Sequence, residues 1–272
     1  MPRRPPPAPP RRRPVRAVPV VAAGQPAAPR HGLARTLSKL GICSRTEATR
    51  WIEAGRVSVD GRVVRDPEFP IAQDDGAARR IGVDGQPVQG TARICVMLNK
   101  PRGLVTSVSD EQGRDTVYRC LEGSGLPWLA PVGRLDKASE GLLLFSNDPQ
   151  WAAGVTDPDR GPDKTYHVQI DRLPEAAELQ RLREGILIEG QCLRATRATV
   201  LRHGERHAWL EIVLDEGRNR QIRRLLTALD IDVLRLVRVA IGPLVLGDLA
   251  KGSWRLLSDS EQRSLMPDRD GG

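Results

Sequence analysis

The chain has 272 residues, a formal net charge of +8 and a sequence pI of about 9.9. This length allows one or two domains with a substantial core, and the positive charge favours a polyanionic partner. Because no stretch of about 18 or more apolar residues occurs in the sequence, a transmembrane helix is excluded.

The amino-terminal segment 1–30 differs in composition from the rest of the chain. It contains ten prolines and no acidic residue, and its seven arginines are Arg3, Arg4, Arg11, Arg12, Arg13, Arg16 and Arg30. Removing these seven charges from +8 leaves +1 for residues 31–272, so any nucleic-acid site there must be a local cluster. We interpret 1–30 as a disordered basic tail on a cytoplasmic protein. Organelle targeting is the minor alternative, because prolines disfavour the amphipathic helix of a transit peptide.

Residues 31–90 are predicted to form a small helix-helix-hairpin domain. Two short helices are expected between residues 33 and 56, and the second has a capping-box start, with Ser44 followed three positions later by Glu47. The sequence VSVDGRVV at 57–64 places two β-rich runs around an Asp-Gly pair, which is a strong hairpin signal. A second Asp-Gly pair lies at 84–85.

The first half of this domain is basic, and two interpretations stay open. Its positive residues include Arg35, Lys39, Arg45 and Arg50. They form either a solvated helix surface or a face that contacts RNA phosphates.

Residues 91–262 are predicted to form a second domain, followed by a C-terminal tail at 263–272. Strand-like segments are RICVMLNKP, WLAPVGRL, GLLLFSND, TYHVQI, RATRATVLR, AWLEIVL and VLRLVRVAIG, and helices are expected at 174–184 and 218–229. Strands joined by turns, with few helices between them, predict an α+β domain on a largely antiparallel sheet.

Helix 218–229 carries an unusual density of arginine. Its apolar face would consist of Ile222, Leu225, Leu226 and Leu229. Four arginines lie within seven residues, namely Arg218, Arg220, Arg223 and Arg224. A solvated basic side is one explanation, but this density favours contact with RNA or an active site.

Metal, disulfide and nucleotide sites have little support. The four cysteines form no Cys-x-x-Cys pair, which favours reduced thiols in the core. The sequence HGERH at 203–207 has metal-like histidine spacing, but its glycine and the flanking strand patterns favour a hairpin turn. Neither a phosphate-binding glycine loop nor a Gly-x-Ser-x-Gly elbow occurs in the sequence.

Two further residues have ordinary explanations when taken alone. Asp136 could cap a short turn that Gly141 closes, and Tyr166 could be a core residue of an alternating strand. Position alone therefore assigns neither residue to catalysis.

Taken together, four segments resemble the ordered motifs of the pseudouridine synthases. They are NKPRG at 99–103, GRLDKASEGLLL at 133–144, KTY at 164–166 and EGRNRQIRRL at 216–225. The segment 33–75 resembles an S-four-type RNA-binding domain, a combination typical of the RsuA/RluB branch that modifies ribosomal RNA. The resemblance covers residues 31–258 and excludes the basic tail.

The resemblance implies specific roles. Asp136 is expected to be the essential catalytic carboxylate, Tyr166 to stack near the target base and assist the late proton removal, and Arg223 to pair with the aspartate. Arg134 is expected to contact RNA near the extruded nucleotide. The full set of expected RNA contacts is Arg134, Arg35, Lys39, Arg45, Arg50, Lys100, Arg218, Arg220 and Arg224.

The expected activity is isomerisation of one uridine of ribosomal RNA, without a cofactor or metal, by a monomeric enzyme. The stretches SDEQGRDTVY and RNRQIRRL favour the large-subunit RNA as the target. A non-catalytic RNA-binding or ribosome-assembly factor on the same fold is the alternative. A glycoside hydrolase is disfavoured because it would need a second, opposed carboxylate in the same cleft.

Overall fold

The computed structural model describes residues 30–72, 76–108, 110 and 112–266. The predicted basic tail lies outside the described residues except for Arg30, as do residues 267–272 of the predicted C-terminal tail. Within the described residues, no helix is long and apolar enough to cross a membrane.

The amino-terminal module consists of short elements, which include the two predicted helices followed by the predicted hairpin. They are β1 Arg30–Gly32, α1 Leu33–Lys39, α2 Arg45–Glu53, β2 Val57–Val59, β3 Arg62–Val63, β4 Pro70–Ala72, α3 Ala77–Arg80, β5 Ile81–Val83 and β6 Gln86–Pro87. The predicted N-cap of α2 is confirmed, because the Ser44 side chain accepts a hydrogen bond from the backbone N–H of Glu47 at 3.0 Å.

Both Asp-Gly pairs form tight hairpin turns. Asp60 and Gly61 have φ angles of 50° and 78°, and Asp84 and Gly85 repeat these values. Positive φ at both central residues is what a type I′ turn requires. The two hairpins form one four-stranded sheet in the order β3-β2-β5-β6. Its core includes Leu33, Leu37, Ile52, Val57, Ile81 and Val88.

The second domain begins with β7 and ends with a short helix. Its elements are β7 Cys95–Lys100, a 3-10 helix Val117–Leu121, β8 Ala130–Val132, β9 Glu140–Ser146, α4 Pro149–Thr156, β10 Lys164–Ile170, α5 Ala176–Glu184, β11 Ile186–Ile188, β12 Gln191–Leu193, β13 Arg197–His203, β14 Ala208–Leu214, α6 Gln221–Thr227, β15 Val233–Ile241, β16 Leu244–Val245, β17 Trp254–Leu256 and α7 Asp259–Ser264.

One nine-stranded sheet organises this domain. The strand order is β13-β14-β10-β15-β9-β7-β17, with β8 paired to β9 and β16 paired to β15. Among the described strand pairs of this sheet, only β15 and β9 run parallel, and the others are antiparallel. The predicted α+β class with a mostly antiparallel mixed sheet is confirmed.

Side chains of β7 and β9 alternate between two cores. Leu98 and Leu143 pack on the side of α5 and α6. Met97 and Leu142 pack on the opposite side, together with Trp151 of α4. Both faces of these central strands are buried. The loop that connects β8 to β9 is therefore anchored to a rigid part of the sheet.

Gly141 occupies a tight position within β9 and does not close a turn, which was the alternative explanation for this segment. Its φ is +100°, and a Cβ atom at this position would run into the backbone carbonyl oxygen of Arg238. The close approach is the parallel pairing of β9 with β15, in which Gly141 lies opposite Arg238. Glycine is therefore needed where the two strands meet.

Two predicted boundaries differ from the structure. The helix expected at 218–229 spans only Gln221–Thr227, because Arg220 has a left-handed backbone with a φ of 49°. The predicted C-terminal tail begins too early, since Leu265 is only 1% exposed and packs into the core beside α4. The folded unit therefore extends beyond residue 262, to the end of α7 and Leu265.

Candidate active site

The three residues expected to be catalytic line a single cleft of about 700 Å³. Asp136 comes from the loop 133–139 between β8 and β9, Tyr166 from β10, and Arg223 from α6. Asp136 is half-buried, so its carboxylate is accessible from the cleft. The fold thus brings together three side chains that lie up to 87 positions apart in the sequence.

Buried hydrogen bonds fix the loop that carries Asp136. The ammonium of Lys100 donates to the backbone carbonyls of Asp136 at 3.2 Å and Ser139 at 2.8 Å. The hydroxyl of Thr106 donates to the carbonyl of Leu135 at 2.7 Å. The N–H of Ser139 closes the turn on the carbonyl of Asp136 at 2.9 Å. Backbone contacts on both sides of Asp136 therefore hold its position.

The position of Lys100 contradicts the expectation that it contacts RNA. Its side chain is fully buried, and besides the two loop carbonyls it donates to the carbonyl of Pro101 at 3.1 Å. Burial lowers the pKa of Lys100 to about 8, against the opposing influence of Asp136. Lys100 is therefore a structural cation behind the loop, out of reach of an RNA phosphate.

Tyr166 lies at the boundary between the core and the cleft. It is 9% exposed, and Val168 and Ile170 on the same face of β10 are fully buried, as the alternating pattern predicted. Its neighbour across the sheet is Arg238 of β15. Only the edge of the tyrosine side chain is thus available to a molecule in the cleft.

Arg223 is half-buried at the side of the cleft. Its Nη2 lies 3.5 Å from the carbonyl oxygen of Ala138, in the loop that carries Asp136. Burial lowers the pKa of Arg223, Arg220 lowers it further, and the negative charge of Asp136 acts in the opposite direction. Among the described residues no ion pair joins Arg223 to Asp136, so the expected pairing is a charge interaction across the cleft.

Two cleft residues were missed by the sequence analysis. Arg238 is 5% exposed and donates through Nε to the carbonyl of Leu142 at 2.7 Å. Its Nη2 is buried without a hydrogen-bond partner in the described part of the chain. Lys164 also lines the cleft. Its pKa is lowered mainly by burial and further by the positive charge of Arg238. The alternation of side chains along the strand β15 could have indicated that Arg238 lies on the same face of the sheet as Tyr166.

The expected RNA-contacting arginines of the second domain divide into two groups. Arg134, Arg218 and Arg220 line the cleft beside Asp136. Arg224 lines a smaller adjoining pocket and forms an ion pair with Glu189 at 2.9 Å. The cleft wall therefore offers three of the four predicted arginines to a bound molecule.

The four basic residues predicted for the first domain are all exposed. Lys39 lies within hydrogen-bond distance of His31, with the two nitrogens 2.8 Å apart. Arg35, Arg45 and Arg50 form no ion pair with another described residue. Their charges are consequently available to a polyanion.

The predicted hairpin turn at 203–207 is present between β13 and β14, with the N–H of Gly204 donating to the carbonyl of His207 at 2.9 Å. No group of three or more His, Cys, Asp or Glu residues that could hold a metal ion occurs within the described ranges. The cysteines Cys43, Cys95, Cys120 and Cys192 are free thiols.

Comparison with known proteins identifies the family. The protein-family model described as RNA pseudouridylate synthase matches residues 94–228 of the sequence. The family model of the S4 domain matches residues 32–76. The ribosomal large subunit pseudouridine synthase B of Bacillus subtilis is 30% identical over 243 residues, which cover 88% of this chain and 97% of that protein. The chain belongs to the RNA pseudouridylate synthase family.

Two further proteins are similar to this chain in sequence or in structure. The Haemophilus influenzae protein named ribosomal large subunit pseudouridine synthase B is 34% identical over 247 residues, covering 88% of this chain and 68% of that protein. A crystal structure of a pseudouridylate synthase superposes with a TM-score of 0.59 at 29% identity, covering 87% of this chain and 100% of the other. This pseudouridine synthase is therefore an RNA-modifying isomerase with an amino-terminal RNA-binding S4 domain.

Proposed function

We propose that this pseudouridine synthase isomerises one specific uridine of large-subunit ribosomal RNA, with Asp136 as its catalytic carboxylate. The observation that carries the proposal is the convergence of Asp136, Tyr166 and Arg223 on one cleft. The names of the B. subtilis and H. influenzae relatives support a large-subunit target. RNA is bound either free or within a pre-ribosomal particle, by a monomer in the bacterial cytoplasm.

The reaction only rearranges atoms of the nucleotide. The bond between N1 of uracil and C1′ of ribose breaks, the base turns, and C5 forms a new bond to C1′. The C5 proton is then lost and N1 gains a proton, so the formula is unchanged. Because nothing is oxidised and no group is transferred in, residues of the chain can supply every step.

Asp136 acts at the ribose of the everted nucleotide. Its carboxylate either attacks C1′ or removes the 2′ proton, and both routes require the ionised form. The guanidinium of Arg223 lies close to the loop of Asp136, with its Nη2 3.5 Å from the carbonyl oxygen of Ala138, and lines the same cleft. The buried anchoring of the loop keeps the carboxylate directed at the ribose.

Tyr166 and the arginines of the cleft position the base and its flanking phosphates. The exposed edge of Tyr166 contacts the uracil ring and assists removal of the C5 proton. Arg134 and Arg220 contact the RNA backbone on either side of the everted nucleotide. Eversion costs a few kcal/mol, which these phosphate contacts offset.

The S4 domain supplies further affinity for the RNA around the target. Its free exposed cations Arg35, Arg45 and Arg50 contact phosphates, together with Lys39. These contacts select RNA structure rather than the uridine itself.

The test is a map of pseudouridines in ribosomal RNA from cells with and without this protein. The proposal predicts that one large-subunit position is lost in the deletion strain and restored by the wild-type gene. Identical maps would contradict the enzymatic assignment and leave a ribosome-assembly factor. Loss of a small-subunit position would retain the reaction and correct the substrate.

A further inference from the structure

The outer face of the sheet, opposite the cleft, carries an ordered row of side chains. Strand pairing places Arg202 of β13 beside Trp209 of β14, Trp209 beside Gln169 of β10, and Gln169 beside Arg235 of β15. Since Tyr166 and Val168 of β10 face the cleft and the core, Gln169 faces away from them. We call these four residues the Arg202 cluster.

Two guanidinium groups of the cluster contact the same indole ring. The Cζ atom of Arg202 lies 5.0 Å from the ring centroid of Trp209, and that of Arg235 lies 5.7 Å from it. A cation–π contact orders a guanidinium without using its N–H donors. Trp209 is itself only partly buried, so the cluster borders solvent.

A β-bulge directs Arg202 to this face. The pairing of β13 with β14 shifts register between Val200, which is opposite Leu210, and Arg202, which is opposite Trp209. Without the extra residue, Leu201 would lie opposite Trp209, and Arg202 would point to the face of the buried Ala198. Bulges that re-aim a side chain in this way are structural features in their own right.

The two arginines differ in how their donors are used. Arg235 donates through Nε and Nη2 to Glu140, at 2.8 and 3.1 Å. The side chain of Arg202 is exposed and, apart from the Trp209 ring, makes neither a hydrogen bond nor an ion pair with any other described residue. Its five N–H donors are therefore held in place by the ring but remain open to a ligand.

The surroundings of the cluster are positively charged. Arg197 and Lys251 lie on the same side of the sheet, so that four cations face two carboxylates, Glu211 and Glu140. A face that served solubility alone would have no need of a bulge that orders an unpaired arginine. The free guanidinium and the partly exposed aromatic ring suit a phosphate and an adjacent base.

We propose that the Arg202 cluster is a second RNA-binding surface, which contacts phosphates of ribosomal RNA outside the segment held in the cleft. The proposal rests on the proposed function for the choice of ribosomal RNA. It implies that a long, folded RNA touches both faces of the sheet by passing around the edge strand β13. A short stem-loop in the cleft would not reach the cluster.

The experiment compares two RNAs with the intact protein and the variants Arg202→Ala and Trp209→Leu. The probes are a full-length large-subunit RNA transcript and a stem-loop of about 20 nucleotides containing the mapped target uridine. Arg206→Ala is the matched control, because this exposed arginine lies in the adjacent hairpin turn.

For the long RNA, Arg202→Ala is expected to raise Kd and KM about fivefold, with kcat unchanged. The slope of log Kd against log salt should fall by the amount expected for the loss of about one phosphate contact. Trp209→Leu should produce a similar loss, whereas Arg206→Ala should change Kd less than twofold. Binding of the stem-loop should stay at the wild-type level in all three variants.

Unchanged binding of the long RNA by Arg202→Ala would overturn the proposal, as would an equal loss with both RNAs. A loss seen only with assembled ribosomal particles would point to a protein partner and would also overturn it. If the wild-type protein formed no pseudouridine, the proposed function would fail, while Kd for the long RNA would still decide the role of the cluster.

Discussion

At the floor of the cleft, loop 133–139, the backbone is held by the buried ammonium of Lys100 and the buried hydroxyl of Thr106. At its wall, segment 216–224, arginine side chains reach outward, and Arg220 even departs from helical geometry with a φ of 49°. The floor has buried polar contacts on both sides of Asp136. The side chain of Arg218, by contrast, forms an exposed ion pair with Glu216 at 2.7 Å.

This difference separates two tasks. A carboxylate that acts at the ribose must be placed within a fraction of an ångström, because small misplacements of a reacting group are costly. Contacts to RNA phosphates tolerate mobile side chains, since much of their contribution is electrostatic and independent of sequence. Substitutions in the floor, and at Arg223 beside it, should therefore change the rate. Substitutions of the outward-reaching arginines of the wall should change affinity.

Arg223→Ala should have the largest effect among these variants, and it tests whether a residue between floor and wall acts on the rate or on the affinity for RNA. Loss of the charge near Asp136 is expected to lower kcat on the order of 10²–10³-fold while changing the Kd for RNA less than threefold. Single-turnover kinetics and filter binding would measure both quantities. Arg223→Lys should recover part of the rate. A loss confined to affinity would make Arg223 a phosphate contact.

Lys100→Met should lower kcat about 100-fold through movement of the Asp136 loop, and it should also destabilise the domain by leaving buried carbonyls unpaired. The Kd for RNA and its salt dependence should stay at wild-type values, because Lys100 is fully buried. Urea unfolding would verify that the variant is folded under assay conditions. A reduced salt dependence would restore the RNA-contact role that the structure contradicts.

Glu140 lies at the start of β9, behind the floor, and its contribution to the stability of the fold should depend on pH. The guanidinium of Arg235, helped by Lys251 and opposed by burial, lowers the pKa of Glu140 from 4.5 to about 2. Because the folded-state pKa lies below the unfolded one, the stabilisation is complete above pH 4.5 and is lost as the pH falls towards 2.

Glu140→Gln should therefore reduce the free energy of unfolding by up to about 3 kcal/mol at pH 7, and by progressively less between pH 4.5 and 3. Urea titrations at several pH values would measure this difference. Glu205→Gln is the control, since Glu205 is exposed in the hairpin turn. A pH-independent difference would show that packing, and not ionisation, accounts for the loss.

Arg218→Ala should have the smallest effect of the series. We expect KM for RNA to rise a few-fold, kcat to stay constant, and the slope of log Kd against log salt to fall by about 0.7. Arg181→Ala, which removes an exposed arginine of α5 away from the cleft, should leave all three unchanged. A decrease in kcat would mean that the wall participates in positioning the reacting atoms.

Local signals in the sequence predicted the elements that depend on neighbouring residues. The Asp-Gly turns, the Ser44 cap and the inward face of Tyr166 each depend on a few adjacent positions. The resemblance of four motifs to one family supplied the residues that meet in the cleft.

Long-range packing determined what the sequence did not reveal. A lysine at the end of a strand is usually exposed, and the burial of Lys100 depends on a loop 36 residues away. Leu265 is buried because α7 returns to the core beside α4. Arg238 enters the cleft through its pairing with Tyr166, and no motif marked it.

The most direct measurement concerns the carboxylate at the floor. Ribosomal RNA from the deletion strain, labelled with tritium at C5 of uridine, would be incubated with purified wild-type protein and with Asp136→Asn. Formation of pseudouridine removes the C5 hydrogen, so released tritium reports turnover. We predict that Asp136→Asn binds RNA within twofold of wild type and releases tritium at least about 10³-fold more slowly. Release by Asp136→Asn at a rate within tenfold of wild type would contradict the account.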